Sequence, residues 1–251
     1  METRHFELRI GRHIIEQYRA DRHRPAVFAA AGLEWDLLDE VWPPTYSPGG
    51  ELFADRIPFG RMSSFLEMGC GTGIMAVLAA RAGVGRVVGL DLNPAAVRNT
   101  ELNAKRHAVA DRVTARESDL YSAVGPDERF DGIYWNPPFL NAPKDRVDAS
   151  IWDETMFDPE YAKLRRFLAE GRELLTARGK AYLWFGEALG NPSLVADLAE
   201  ETGYDLGVLA KMEMAEVPEA LAGAFPADLA GGDGGDAAWH LHLLELSPRR
   251  P

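Results

Sequence analysis

A chain of 251 residues with 46% apolar side chains suits one α/β domain with additions and has the material for a sizeable buried core. Acidic residues outnumber basic ones, 39 to 27, for a formal net charge of −12; this argues against holding a nucleic-acid backbone, although it leaves room for a local basic patch. The lone Cys70 excludes an internal disulfide or a cysteine-cluster metal site, no apolar run could span a bilayer, and the first residues form no apolar signal region, so a soluble cytoplasmic protein is expected.

Phe6, Ile10, Ile14 and Tyr18 recur at four-residue steps and predict an amphipathic helix over 5–22, stopped by Pro25. Arg4, Arg9, Arg12, Arg19, Arg22 and Arg24 fill much of its other surface. They read either as a solvated face or as positive charge carried to a site by a lid. Residues 33–60, with Trp35, Trp42, Pro43, Pro44, Tyr46, Pro48, Gly49 and Gly50, read as an irregular, aromatic approach to the core. From Ser64 the rhythm becomes strand, turn, helix. Strands are expected at 65–68, 86–90, 113–116, 130–135, 181–185, 204–212 and 239–246. Helices are expected at 74–82 and from Pro94 to about Arg106, the second capped by Asn93. This alternation predicts a mostly parallel sheet covered on both faces, with residues 1–60 as an N-terminal extension and 61–251 as the main domain. The run Gly231-Gly-Asp-Gly-Gly-Asp236 reads as a flexible connection, since no helix follows its glycines.

The most informative segment is Glu67-Met-Gly-Cys-Gly-Thr-Gly73, a glycine-rich turn directly after a predicted strand. Glycines there let backbone approach a ligand where a Cβ would clash. A dinucleotide fingerprint has glycines at its first, third and sixth positions. Counted from Gly69, the sixth position here is Ile74, and the third glycine arrives one residue early at Gly73. The segment resembles the first motif of class I S-adenosylmethionine-dependent methyltransferases, with the match covering roughly residues 60–190. That resemblance implies a Rossmann-like α/β fold with a seven-stranded sheet, S-adenosylmethionine as cofactor and S-adenosylhomocysteine as product. It implies that Glu67 orients the methionine end, that Gly69, Cys70, Gly71 and Gly73 line the cofactor, and that Asp91, followed by Leu92, accepts the ribose hydroxyls. Ser118-Asp119-Leu120 is similar to the segment that reads the adenine edge, with Asp119 accepting from the amino group.

Asn136-Pro-Pro-Phe139 follows the fourth predicted strand of the core. Methyl transfer from a sulfonium is an in-line displacement, for which a protein mainly supplies position and desolvation. An amide or exocyclic aromatic nitrogen has a delocalised lone pair. A site that accepts both its N–H bonds turns that lone pair toward the methyl group. Asn136 offers a side-chain carbonyl and Pro137 a backbone carbonyl, while the prolines stiffen the chain in extended form. Phe139 can cover the flat face of the acceptor. The segment is similar to the catalytic motif of amino-methyltransferases acting on adenine N6, guanine N2 and protein glutamine. The resemblance implies contact roles for Asn136, Pro137, Pro138 and Phe139, with Asn136 also against the cofactor, and Trp42-Pro-Pro-Thr45 loosely matches a segment such enzymes place beside the cofactor. Trp135 is bulky for its place, Phe139 stands where Tyr is more frequent, and residues 1–60 read as too few and too irregular for the helical substrate-recognition domain of the release-factor enzymes.

Trp42, Tyr46, Trp135, Asp153 and Glu154 are candidate substrate contacts. Asp153 and Glu154 are expected on a loop, either as solvated carboxylates or as a pair facing a guanidinium or amine. His240 and His242 share one side of a strand, without an evident third metal ligand, and Cys70 reads as filler rather than nucleophile. The leading expectation is N-methylation of an amide, guanidino or amino nitrogen in a small molecule, amino acid or peptide. Protein glutamine N5-methylation, methylation of an RNA or DNA base, and a non-catalytic cofactor-binding subunit are the alternatives.

Overall fold

The computed structural model describes residues 2–21, 23–44, 49–148, 150–187, 190–213 and 240–250. Its centre is a seven-stranded sheet formed by β3 (Ser64–Met68), β4 (Arg86–Asp91), β5 (Val113–Glu117), β6 (Phe130–Trp135), β7 (Leu175–Gly186), β8 (Tyr204–Glu213) and β9 (His240–Pro248). The strand order is β5-β4-β3-β6-β7-β9-β8. The first five of that order run parallel, while β9 pairs antiparallel with both β7 and β8. The fold class is therefore the expected α/β sheet, Rossmann-like in its winding.

The central parallel strands β3, β4 and β6 are buried on both sides because helices cover both faces, whereas the edge strand β5 alternates buried and exposed residues. On one face α2 (Ile74–Arg81) and α3 (Pro94–Arg106) share a core with Phe65, Val87, Tyr134 and Trp184. On the other, α5 (Ala162–Leu174) and α6 (Pro192–Glu201) pack Leu164, Phe167, Leu168, Val195 and Leu198 against Leu66, Val88, Ile133 and Leu183. Asn93 caps α3 by accepting from the Ala95 amide at 2.9 Å, with Pro94 in the first turn as expected.

From β3 the chain winds outward through β4 to β5, then returns across β3 to place β6 on its other side. The carboxyl ends of β3 and β6 thus flank the point where the winding reverses, which is where open α/β sheets bind ligands.

The segment before the sheet departs from expectation. The first helix, α1, is Glu2–Ala20 rather than 5–22, ending before Pro25. Residues 33–60 are not irregular throughout: β1 (Val27–Ala30) and β2 (Leu33–Asp36) form a hairpin across Ala31 and Gly32, both at positive φ. That hairpin is fixed to α3, because Asn99 and Asn103 each donate to the Asp36 carbonyl and accept from the Leu38 and Asp36 amides. Trp35, fully buried, joins the same core. The stripe of α1 is buried at Ile10, Ile14 and Tyr18, joined by Ile15, and it packs on Leu140, Ala142 and Phe157. β7 begins at Leu175, six residues before the expected strand. Residues 231–236, Tyr46 and Trp239 lie outside the described residues. No helix among the described residues is long and apolar enough to cross a membrane.

Candidate active site

A cavity of about 510 Å³ opens at the carboxyl ends of β3, β4 and β6. Its floor is the turn after β3. Gly69 and Gly71 take φ of 60° and 52°, the left-handed region, and a Cβ on Gly69 would lie 3.1 Å from Trp135 Nε1. Both positions line the cavity, as does Cys70. Cys70 is buried, its Sγ accepts from Thr100 Oγ1 at 3.2 Å, and burial raises its thiol pKa far above the ordinary value, which keeps it a thiol. Gly73 does not line the cavity. It needs to be glycine for another reason: a Cβ would lie 2.8 Å from Thr100, where α2 and α3 approach.

Glu67, the penultimate residue of β3, is buried, and its Oε2 accepts from the Ala76 amide at 2.7 Å in the first turn of α2. Burial drives its pKa up to about 8, against the pull of the helix amides. Asp91, at the end of β4, accepts from the Gly71 amide at 2.9 Å and from the Asn93 amide at 2.8 Å. It therefore braces the glycine turn and also faces the cavity, with its pKa raised by burial. Leu92, exposed, forms part of the same rim. Asp119 and Leu120 line the far end, and Asp119 is paired with Arg166 of α5 at 3.2 Å. A ligand group that used this carboxylate would share it with the guanidinium.

Asn136, Pro137, Pro138 and Phe139 all line the cavity directly after β6. Asn136 is exposed within it, and its side-chain amide makes no hydrogen bond among the described residues. The loop behind it is tied down. Tyr161 Oη donates to the Phe139 carbonyl at 2.9 Å and accepts from the Asn191 amide at 2.8 Å. Phe139 lies between Trp184 and Phe185, with ring centroids 5.3 and 5.9 Å away. The segment after Asn136 is thus tied through Tyr161 to the start of α6.

The cover comes from α1 and from α4 (Ile151–Met156). Trp42 and Trp152 line the cavity, and the Tyr18 ring lies tilted against both, with centroids at 5.1 and 4.5 Å. Asp153 and Glu154 lie on α4, not on a loop, and both are already paired. Asp153 is fully buried away from the cavity. Its Oδ1 accepts from Arg12 Nη1 at 2.6 Å and from Ser150 Oγ at 3.2 Å, and its Oδ2 from the Asp148 amide at 2.8 Å. The expected substrate role of Asp153 is corrected accordingly: it anchors α1. Glu154 lines the cavity but pairs with Lys163 Nζ at 2.7 Å. Trp135 lines the cavity and packs on Phe167.

Further cavity residues were not expected from the chain: Ile14, Glu51, Tyr134, Lys163, Arg166 and Trp184. Glu51 lies in the 3-10 turn Gly50–Arg56 and accepts from the Gly49 amide at 3.1 Å. The others reach the site through tertiary packing. His240 and His242 sit on β9 with ring centroids 6.2 Å apart, and no three-ligand metal cluster occurs among the described residues.

The features of the cavity fit the expected cofactor: close backbone approach at Gly69 and Gly71, and, among the described residues, buried carboxylates at Glu67 and Asp91 without an ion-pair partner and an Asn136 side-chain amide without a hydrogen bond. Comparison with known proteins bears on the same point. A family model described as "Methyltransferase small domain" matches residues 45–204. A relative provisionally named a protein N5-glutamine methyltransferase, from Methanocaldococcus jannaschii, is 34% identical over 48% of this chain, and the match spans 58% of its own length. A tRNA1(Val) (adenine(37)-N6)-methyltransferase of Shewanella loihica is 26% identical, covering 68% of this chain and 70% of that protein. Among solved structures, the T. thermophilus 16S rRNA N2 G1207 methyltransferase with AdoMet and guanosine superposes with a TM-score of 0.57 at 20% identity, covering 90% of this chain and 50% of the other. A precorrin decarboxylase structure from Methanobacterium thermoautotrophicum gives 0.54 at 17% identity, covering 85% and 96%. These last two likenesses speak to the fold.

Proposed function

The chain belongs to the methyltransferase small domain family, and from that membership we propose that it is an S-adenosylmethionine-dependent N-methyltransferase acting on an amide, guanidino or amino nitrogen of a small molecule, amino acid or peptide. The carrying observation is the Asn136 side-chain amide, exposed in the cavity directly after β6 and without a hydrogen bond among the described residues.

When bound, the cofactor supplies an electrophilic methyl group on a sulfonium. The residues of this chain then have separable tasks. Gly69 and Gly71 admit the ligand, Asp91 meets hydroxyls, and Glu67 stands at the methionine end. Asn136 Oδ1 and the Pro137 carbonyl accept the two N–H bonds of a planar nitrogen, and Phe139 with Trp184 limits its tilt. Trp42, Trp152 and α1 exclude water from the acceptor end, where desolvation strengthens the polar contacts. This narrow aromatic cover favours a small group or a single side chain over a duplex surface, and the net charge of −12 points the same way.

A second reading is a glutamine side chain on a protein. The M. jannaschii relative's name supports it, and a primary amide fits the same clamp.

Incubation with methyl-labelled cofactor and a cell extract fractionated into small molecules, protein and nucleic acid tests the proposal, with Asn136→Ala alongside. Asn136-dependent label among small molecules or short peptides is the expected result. Label in protein would select the glutamine reading, and label in nucleic acid would overturn the acceptor class.

A further inference from the structure

β7 pairs parallel with β6 in a register that sets Leu183 beside Trp135, so Trp184 comes level with the point where the chain leaves β6 into Asn136. The Trp184 indole shares a core with Tyr134 and Tyr182, is 2% exposed and lines the cavity. Phe139 packs against it, with ring centroids 5.3 Å apart. Its Nε1 is buried and has no hydrogen-bond partner among the described residues. Trp35, also fully buried, shows the ordinary arrangement, in which Nε1 donates to the Ala30 carbonyl at 2.9 Å.

An indole nitrogen can only donate, and a buried donor left unpaired costs about 1–3 kcal/mol. A ligand that brings a lone pair to this wall recovers that cost. The clamp oxygens of Asn136 and Pro137 complement the two N–H bonds of the nitrogen to be methylated. Trp184 complements a different atom, an acceptor carried on the same group. Of the nitrogen classes that suit the clamp, the carboxamide has one, its carbonyl oxygen. A guanidinium turns N–H toward N–H and leaves the indole unpaired. An amine has only the lone pair that takes the methyl group. A site built to pair a polar group in this way rejects analogues far more strongly than an apolar pocket does.

We propose that Trp184 is a specificity-determining residue, its indole N–H meeting the carbonyl oxygen of a primary carboxamide while Asn136 and Pro137 hold the amide nitrogen. The proposal rests on the N-methyltransferase reading above and narrows its acceptors to one class. A heteroaromatic amine also carries a lone pair beside its amino group. The narrow aromatic cover that favours a small group at this end favours the compact carboxamide over a fused ring.

Chemistry on the product tests the acceptor class. Products labelled from methyl-labelled S-adenosylmethionine in a cell extract are heated in strong acid. An N-methylcarboxamide is hydrolysed and releases its label as methylamine, whereas N-methylated guanidines and alkylamines keep the label on the parent molecule. Release as methylamine is the expected result, and retained label overturns the carboxamide. Two variants test the residue: Trp184→Phe, and the protein carrying benzothienylalanine at this position, which keeps the shape of the indole but has no N–H. Each is expected to lower the rate at limiting acceptor about ten- to hundredfold, the cost of one unpaired buried partner, with S-adenosylhomocysteine affinity by calorimetry within about twofold of wild type. Full activity of the benzothienyl protein overturns the role of the N–H, whatever the smaller Phe ring does to packing. Equal weakening of S-adenosylhomocysteine in both variants also overturns it, because Trp184 would then support the cofactor rather than read the acceptor. Absence of label from every fraction with the wild-type protein would instead sink the N-methyltransferase reading itself.

Discussion

Arg12 and Asp153, 141 residues apart in sequence, meet at 2.6 Å between Nη1 and Oδ1. The carboxylate is buried and the guanidinium only half so. This ion pair helps to fasten α1 to α4, whose Ile14 and Trp152 line the cavity. Removing one partner of such a pair leaves the other uncompensated. Asp153→Ala is expected to destabilise the protein by about 3 kcal/mol, since Ser150 Oγ and the Asp148 amide lose their acceptor as well. Denaturant unfolding checks the size. Faster amide exchange across residues 2–20 would place the loss in α1.

Asn136→Ala should leave cofactor affinity nearly unchanged and lower turnover about a hundredfold or more, because one of two acceptors for the reacting nitrogen is gone. Single-turnover kinetics beside calorimetry check it. Equal turnover in the variant would sink the clamp.

Asp91→Ala should act in reverse, weakening cofactor about tenfold or more before it changes the chemical step. Two causes combine: loss of the ribose acceptor and release of the Gly71 amide that Asp91 holds at 2.9 Å. Unchanged affinity by calorimetry would refute the ribose assignment.

Glu67 makes the ligand-free protein sensitive to pH. Its pKa stands near 8 in the fold against an ordinary 4.5, so the folded state holds a proton that the unfolded chain has released between those values. Its contribution is full below the ordinary value and is lost as pH rises through the folded one, so stability should fall from about pH 5 to 8. Glu67→Gln, which keeps an acceptor for the Ala76 amide, should flatten that slope. Chemical unfolding at a series of pH values measures both.

Tyr161→Phe should cost about 1–3 kcal/mol, because it strips the Asn191 amide of its acceptor and the Phe139 carbonyl of its donor. A drop in turnover without loss of cofactor affinity, again by kinetics with calorimetry, would show that the loop rather than the whole fold has loosened.

The parts readable in the chain are those whose causes are local. The strand ending at Met68, the glycine turn, the Asn93-Pro94 helix start and the β6 strand leading into Asn136 each carry their own signal within a few residues. The β1–β2 hairpin was missed because Ala31 precedes Gly32 in a turn where Asn or Asp would have advertised positive φ. The helical setting of Asp153 was legible in part: Ser150 is the N-cap and accepts from the Asp153 amide, a spacing that marks helix starts. Its partner was not, since nothing near Asp153 points to Arg12. The pairing of Glu154 with Lys163 and of Asp119 with Arg166 likewise depends on where α5 lies. Glu51 and Tyr134 needed the fold to be brought together.

Tyr161 holds the Phe139 main chain through its carbonyl, not through the ring. Two properties that usually change together are thereby uncoupled at one residue. The track of the backbone is inherited from α5 and from the start of α6, while the surface offered to an acceptor belongs to the side chain alone. Exchange of Phe139 for other flat or smaller groups can alter which molecules fit without moving the carbonyl of Pro137. A lineage of such proteins could therefore diversify its acceptors at this position while the transfer geometry stayed constant.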